Sequence, residues 1–99
     1  MTITNHGGSR LIERTFCKRK DMEKFLFKIW EGGKKEWDLV ERSPLRRYVE
    51  NVRKNGGLDR SVRVKGNTVY IFNKVGSVFV TCYDIPQKVL QDNSRRSKI

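Results

Sequence analysis

Several features that define common protein classes are scarce or missing in this chain of 99 residues. Two cysteines, Cys17 and Cys82, and one histidine, His6, are too few for a disulfide framework or for the usual four ligands of a structural zinc site. No stretch approaches the roughly 18 apolar residues that a membrane span requires, and Met1–Ser9 lacks the apolar core of a secretory signal. We therefore expect a cytoplasmic protein without a disulfide, a bound metal or a membrane partner.

Motifs of the large enzyme classes are also missing. The chain has no P-loop, no dinucleotide fingerprint, no serine-nucleophile elbow and no paired carboxylates at catalytic spacing. It has no helix-turn-helix signature and no aromatic-rich RNA-recognition pattern. These absences argue against ATP-dependent chemistry, against sequence-specific reading of DNA and for a protein that needs no cofactor.

Positive charge is what the chain has in excess. Its 22 Lys and Arg residues exceed its 11 Asp and Glu residues, which gives a formal charge of +11. Hydrophobic residues make up 36% of the sequence, enough to fold one small domain. Because a basic surface attracts phosphates, we expect a polyanionic partner such as RNA, with an acidic protein such as an antitoxin or host target as the alternative.

Hydrophobic periodicity divides the chain into helices followed by strands. Apolar residues recur at helical spacing in three segments, of which the last begins with a serine cap and a proline: Ser9–Phe16, about Arg19 to Trp30, and Ser43–Asn55. The period then changes to two, and turn signals separate three strands: Arg60–Lys65, Thr68–Phe72 and Ser77–Tyr83.

The predicted architecture is α+β, with the N-terminal helices packed on one face of a C-terminal antiparallel meander. Residues 1–86 form the domain, and residues 87–99 are a basic, flexible tail for which a helical turn at its start is left open. Strict alternation predicts two sets of strand residues. One is apolar (Val62, Val64, Val78, Val80, Cys82), and the other forms an open surface (Arg63, Lys65, Phe79, Thr81, Tyr83).

Three segments carry a resemblance to a known superfamily: His6-Gly7-x-x-Arg10-x-x-Glu13-Arg14, Val69-Tyr70-Ile71-Phe72-Asn73 and Val80-Thr81-Cys82-Tyr83-Asp84-Ile85-Pro86. They resemble small phage and bacterial domains of the barnase–EndoU–colicin–RelE superfamily. There, an H-x-x-x-R-x-x-x-R element opens the domain and a strand reading T-x-Y closes it. The resemblance covers residues 3–86 through short motifs.

The resemblance implies a RelE-like fold and a metal-independent ribonuclease or ribonuclease-like toxin. Carried over by position, it implies catalytic roles for His6, Arg10, Arg14, Thr81 and Tyr83. Metal-free cleavage uses the 2′-hydroxyl of RNA as nucleophile, so a histidine can serve as acid or base while arginines hold the phosphate. The competing hypothesis is a binding module without catalysis, which holds nucleic acid, a nucleotide or an acidic protein.

Four further cations are predicted to contact nucleic acid on charge and position alone. Arg63 and Lys65 alternate with valines on the first meander strand, and Arg46 and Arg53 flank the apolar stripe of the third helix. A purely structural interpretation stands beside all of these assignments. It makes His6 a capping or surface residue, makes Arg10 and Arg14 a solvated face, and places Trp30 and Trp37 in the core.

Overall fold

In the part of the chain that the structure describes, the protein is an α+β domain with four helices and a four-stranded mixed sheet. The structure, a computed structural model, describes residues 1–57 and 59–97. The main elements in chain order are β1 (Thr2–Ile3), α1 (Asn5–Thr15), α2 (Met22–Gly32), α3 (Pro44–Asn55), β2 (Arg60–Lys65), β3 (Thr68–Asn73), β4 (Val78–Asp84) and α4 (Gln87–Ser97). There are also two single turns of 3₁₀-helix, at Arg19–Asp21 and Glu36–Asp38. Within the described residues, no helix has both the length and the apolar character needed to cross a membrane.

Local sequence signals account for the helix starts. The Ser43 side chain accepts a hydrogen bond from the Arg46 amide at 3.2 Å, and Pro44 occupies the first turn, so α3 begins as predicted. Helix α1 begins at Asn5, four residues before the predicted Ser9, because Thr4 caps it: the Thr4 hydroxyl accepts from the Gly7 amide at 2.9 Å. His6 therefore lies in the first turn of a helix.

The sheet contains the predicted meander and one additional strand. Strands β2, β3 and β4 pair antiparallel, and a two-residue turn with Gly66 at φ 59° joins the first two. The short β1 pairs parallel with β4 at Thr2↔Val78 and Ile3↔Phe79, which gives the order β1-β4-β3-β2.

A β-bulge in β4 breaks the alternation that the sequence analysis assumes. Ile71 pairs with Thr81 while the next residue, Phe72, pairs with Phe79, so Val80 is an extra residue in β4. Phe79 and Cys82 consequently lie on the same face although they are three residues apart, and both are fully buried. The prediction that Phe79 shares an open surface with Thr81 is therefore wrong.

Helices cover both faces of the sheet, whereas a single covered face is predicted. The meander strands are apolar on both sides, so each face needs a cover. Helices α1 and α2 pack on one face, where the first core cluster comprises Leu11, Met22, Leu26, Ile29, Tyr70, Phe72, Phe79 and Cys82. Helix α3 packs on the other, where the second cluster comprises Leu39, Val49, Val62, Val64, Val69, Ile71 and Ile85.

The last described segment is helical, whereas the sequence analysis expects a flexible tail from residue 87. Helix α4 places Val89 and Leu90 against the second cluster. Its Asn93 Oδ1 accepts a hydrogen bond from the Leu45 amide at 3.4 Å. The third and fourth residues of this segment are its two docked apolar side chains, and they suffice to pack one helical turn although the rest of the segment is polar.

We predict that Gly7→Ala lowers the free energy of unfolding by about 1–3 kcal/mol, the usual cost of overpacking. A Cβ at Gly7 would lie 2.6 Å from the Val80 carbonyl oxygen and 2.8 Å from Thr4 Oγ1. The matched control is Gly32→Ala, where a Cβ meets nothing within 4 Å. Urea denaturation measures both variants, and a Gly7→Ala midpoint equal to that of Gly32→Ala would contradict the close packing of α1 on β4.

Candidate nucleic-acid interface

Three of the residues singled out by the resemblance form a row along α1. His6, Arg10 and Arg14 are spaced four residues apart, so they lie on one side of the helix, with about 12 Å of helix axis between the first and the last. The His6 side chain is exposed, whereas Arg10 and Arg14 are half-buried. The row therefore runs from an open helix N-terminus to a more enclosed C-terminal end.

The start of α1 is anchored to the bulge of β4. The Thr4 hydroxyl donates to the Val80 carbonyl at 2.8 Å, and the Thr4 amide donates to the Phe79 carbonyl at 3.2 Å. At the other end, Arg14 Nη1 donates to Asp84 Oδ2 in an ion pair. Helix α1 thus runs alongside β4 from Val80 to Asp84, which brings Arg14 next to the end of the strand.

Thr81 and Tyr83 line a cleft on the opposite face of the sheet, between β4 and α3. We call it the tyrosine cleft; it has a volume of ≈ 320 Å³ and is lined by Tyr48, Val52, Asn55, Gly56, Arg60, Ile71, Val80, Thr81 and Tyr83. Because of the bulge, the inward-facing residues Val80 and Thr81 are consecutive in sequence. The sheet forms the apolar floor of the cleft, and the tyrosines stand at its rim.

Two buried polar side-chain atoms, one in the tyrosine cleft and one on α1, have no hydrogen-bond partner. They are Thr81 Oγ1 and Arg14 Nε, and no other such atom is found among the side chains of residues 1–57 and 59–95. Thr81 is 5% exposed and lines the tyrosine cleft. An unpartnered buried donor or acceptor costs about 1–3 kcal/mol, so native proteins contain few of them and these two require an explanation.

Asp84, the last residue of β4, pairs with Arg14 of α1 and also influences Tyr48 in the tyrosine cleft. Burial raises the pKa of Tyr48 above its ordinary value, and the nearby Tyr83 and Asp84 raise the pKa further. Tyr48 therefore keeps its proton at neutral pH and can donate a hydrogen bond into the cleft. The ion pair with Asp84 holds Arg14 at the end of β4, whereas Thr81 and Tyr83 line the cleft on the other face of the sheet and His6 lies at the far end of α1.

Arg63 is buried in the fold, where the sequence analysis places it on a phosphate-binding surface. It is 5% exposed; its Nε donates to the Trp30 carbonyl at 2.9 Å and its Nη1 to Ser61 Oγ at 2.9 Å. The guanidinium lies 3.8 Å from the centroid of the Trp30 ring, and burial lowers the pKa of Arg63. Alternation does turn Arg63 away from the valines, but α2 covers that second face, so Arg63 has a packing role.

The other cations chosen on charge lie apart from one another. Arg46 Nε pairs with Glu50 at 3.3 Å on α3. Arg53 Nε pairs with Glu36 at 2.9 Å. Lys65 is exposed at the end of β2. Carboxylates within the fold thus partly neutralise both arginines, which weakens their electrostatic attraction for a phosphate.

A second cleft, next to the first, contains residues that the sequence analysis did not assign to a site. We call it the tryptophan cleft; it has a volume of ≈ 360 Å³ and is lined by Lys35, Glu36, Trp37, Arg53, Arg60, Ser61, Val62, Arg63 and Lys74. Trp37 is 67% exposed, so its predicted place in the core is wrong, whereas Trp30 packs against the first cluster. The sequence signal for this cleft is a tryptophan that follows two lysines in a polar segment.

Comparisons with protein families, with curated proteins and with solved structures find no match to this chain. The superfamily resemblance therefore rests on its motifs alone and stays a prediction. In the part of the chain that the structure describes, no group of three or more His, Cys, Asp or Glu side chains is placed to hold a metal ion.

We predict that Thr81→Val raises the free energy of unfolding by about 1 kcal/mol, because it replaces an unpartnered buried hydroxyl with a methyl group of the same shape. The matched control is Thr15→Val: the Thr15 hydroxyl donates to the Leu11 carbonyl at 2.6 Å, so this variant loses about 1 kcal/mol. Urea denaturation compares the two. A loss of stability in Thr81→Val as large as in Thr15→Val would mean that the Thr81 hydroxyl has a partner inside the fold.

Proposed function

We propose that this protein binds single-stranded RNA and that the tyrosine cleft holds one nucleotide. The observation that carries the proposal is the Thr81 hydroxyl, which is buried, lacks a partner and lines a cleft with two tyrosines at its rim. A buried polar group that the fold leaves unsatisfied is well suited to a ligand that supplies the missing hydrogen bond.

The lining of the tyrosine cleft matches the chemistry of a nucleotide. The side chains of Val52, Ile71 and Val80 offer an apolar surface to a base, and the rings of Tyr48 and Tyr83 offer faces for stacking. The Asn55 amide has both donors and acceptors for a base edge. Bases in a duplex are stacked inside the helix, so only a single strand or an unpaired loop can place a base in this cleft.

Positive charge lies at the mouth of the same cleft. Arg60 lines it, and its Nε donates to the Gly56 carbonyl at 2.9 Å, which orients the guanidinium. Arg14 pairs with Asp84, the residue after Tyr83, but does not line the cleft. The Arg60 guanidinium at this base-sized cleft suits a phosphate next to a bound nucleotide. The net charge of +11 attracts a polyanion from a distance.

A second candidate function, metal-independent cleavage of the bound RNA, is favoured by Arg14. Its buried Nε has no hydrogen-bond partner in the fold, and a guanidinium donor can stabilise charge that develops on a phosphate. His6 would then act as general acid or base, as the resemblance implies. Because His6 is at the opposite end of α1, the bound strand would have to extend along the row through Arg10.

We predict salt-dependent binding of a fluorescently labelled single-stranded RNA in the presence of EDTA, measured by fluorescence anisotropy. Tyr83→Ala removes a stacking face and weakens binding about tenfold, and Thr81→Val weakens it by removing the hydroxyl. Thr15→Val, outside the cleft, leaves affinity unchanged. Equal affinities of the Thr81→Val and Thr15→Val variants would remove the tyrosine cleft from the binding surface.

We predict that, if the bound strand is also cut, cleavage persists in EDTA, stops in His6→Ala and slows in Arg14→Lys, since lysine lacks the planar Nε donor. Denaturing electrophoresis of the RNA from the binding assay measures this. Asn5→Ala, an exposed neighbour of His6 on α1, is the matched control. Intact RNA at high protein concentration, with binding retained, would leave the protein an RNA-binding module without catalysis.

A further inference from the structure

The tryptophan cleft presents a mostly exposed aromatic ring to solvent, carried on an ordered turn. Trp37 lies in the 3₁₀-turn Glu36–Asp38, which is closed by a hydrogen bond of 3.0 Å from the Lys35 amide to Asp38 Oδ2. The Lys35 ammonium lies 5.9 Å from the centroid of the Trp37 ring. A tryptophan that is 67% exposed buries little apolar area within the fold, so its ring remains available for a partner.

Trp30 shows the contrast with a tryptophan used for packing. Its ring packs edge-on against Phe72, with centroids 5.2 Å apart, and lies under the Arg63 guanidinium. Trp30 thus makes its aromatic and cation–π contacts inside the fold. Trp37 has no such place and lines a surface cleft instead.

Cations outnumber carboxylates along the walls of the tryptophan cleft. Glu36 is its single acidic lining residue, and Arg53 binds both oxygens of that carboxylate at 2.9 and 3.2 Å. The side chain of Glu36 is only 13% exposed, so its charge is largely enclosed. Lys35, Arg60 and Lys74 leave the cleft positive, which suits a phosphate chain and opposes a cationic ligand.

Arg60 connects the two clefts, because its side chain lines both of them. We propose that the tryptophan cleft is a second nucleotide site: a neighbouring base of the same single strand stacks on Trp37, and the phosphate between the two bases lies at Arg60. This proposal rests on the proposed RNA-binding function. It adds that the ligand is a strand long enough to reach both clefts, held by stacking without base-specific readout.

The test compares a long and a short ligand on the full chain. Affinities for hexaadenylate and for adenosine 5′-monophosphate are measured by calorimetry for the wild-type protein, for Trp37→Ala and for Phe16→Ala. Phe16 is 89% exposed and lines neither cleft, so it is a matched control for loss of an exposed ring. Urea midpoints of both variants equal to that of the wild type establish that each is folded.

We expect Trp37→Ala to weaken hexaadenylate binding about tenfold or more, the usual loss for one stacked base, and to leave monophosphate binding unchanged. Phe16→Ala changes neither affinity. Hexaadenylate binding that is equal in the two variants overturns the second site while the proposed function stands. Monophosphate binding that falls as much as hexaadenylate binding also overturns it, because Trp37 would then act on the first cleft. If neither ligand binds the wild-type protein, the proposed function itself fails.

Discussion

The candidate interface depends on how the Thr4 hydroxyl joins α1 to β4. This hydroxyl accepts the Gly7 amide as a helix cap and donates to the Val80 carbonyl at the β-bulge, so a single side chain sets both where α1 begins and where it lies. Gly7 permits the close approach, since any Cβ there would overlap the Val80 carbonyl. With α1 fixed at one end, its length brings Arg14 to Asp84 at the end of β4.

The bulge divides β4 between the first core cluster and the tyrosine cleft. It turns Phe79 and Cys82 into the first core cluster, where burial raises the pKa of Cys82 to about 11, and it turns Thr81 and Tyr83 towards the tyrosine cleft. The strand can therefore close the core on one side and leave an unpartnered hydroxyl on the other. A buried hydroxyl without a partner costs stability, and such a cost is expected where a surface is kept for a ligand.

Elements with strong local signals could be predicted from the sequence, and their arrangement could not. The Ser43 cap with Pro44, and the valines that alternate along β2, place α3 and the first meander strand correctly. Which face a β4 residue occupies depends on the β-bulge at Val80. The bulge is visible only in how β4 pairs with Ile71 and Phe72, and the composition of β4 does not reveal it. For the same reason Thr81 and Tyr83 could be selected by motif, but Tyr48 and Arg60, which complete their cleft, lie in distant segments.

The charge of the chain is used in two ways that composition cannot separate. Some arginines make contacts within the fold: Arg63 stacks on Trp30, and Arg53 pairs with Glu36. Each is therefore less available to contact a partner. Holding Glu36 neutralises the carboxylate that would otherwise repel a phosphate from the tryptophan cleft. Arg53 thus contributes to a positive surface by removing a negative charge, while Arg60, placed between the two clefts, is the cation that a bound strand would meet. The net charge of +11 therefore overstates the positive charge available to a partner, because some arginines already pair with carboxylates inside the fold.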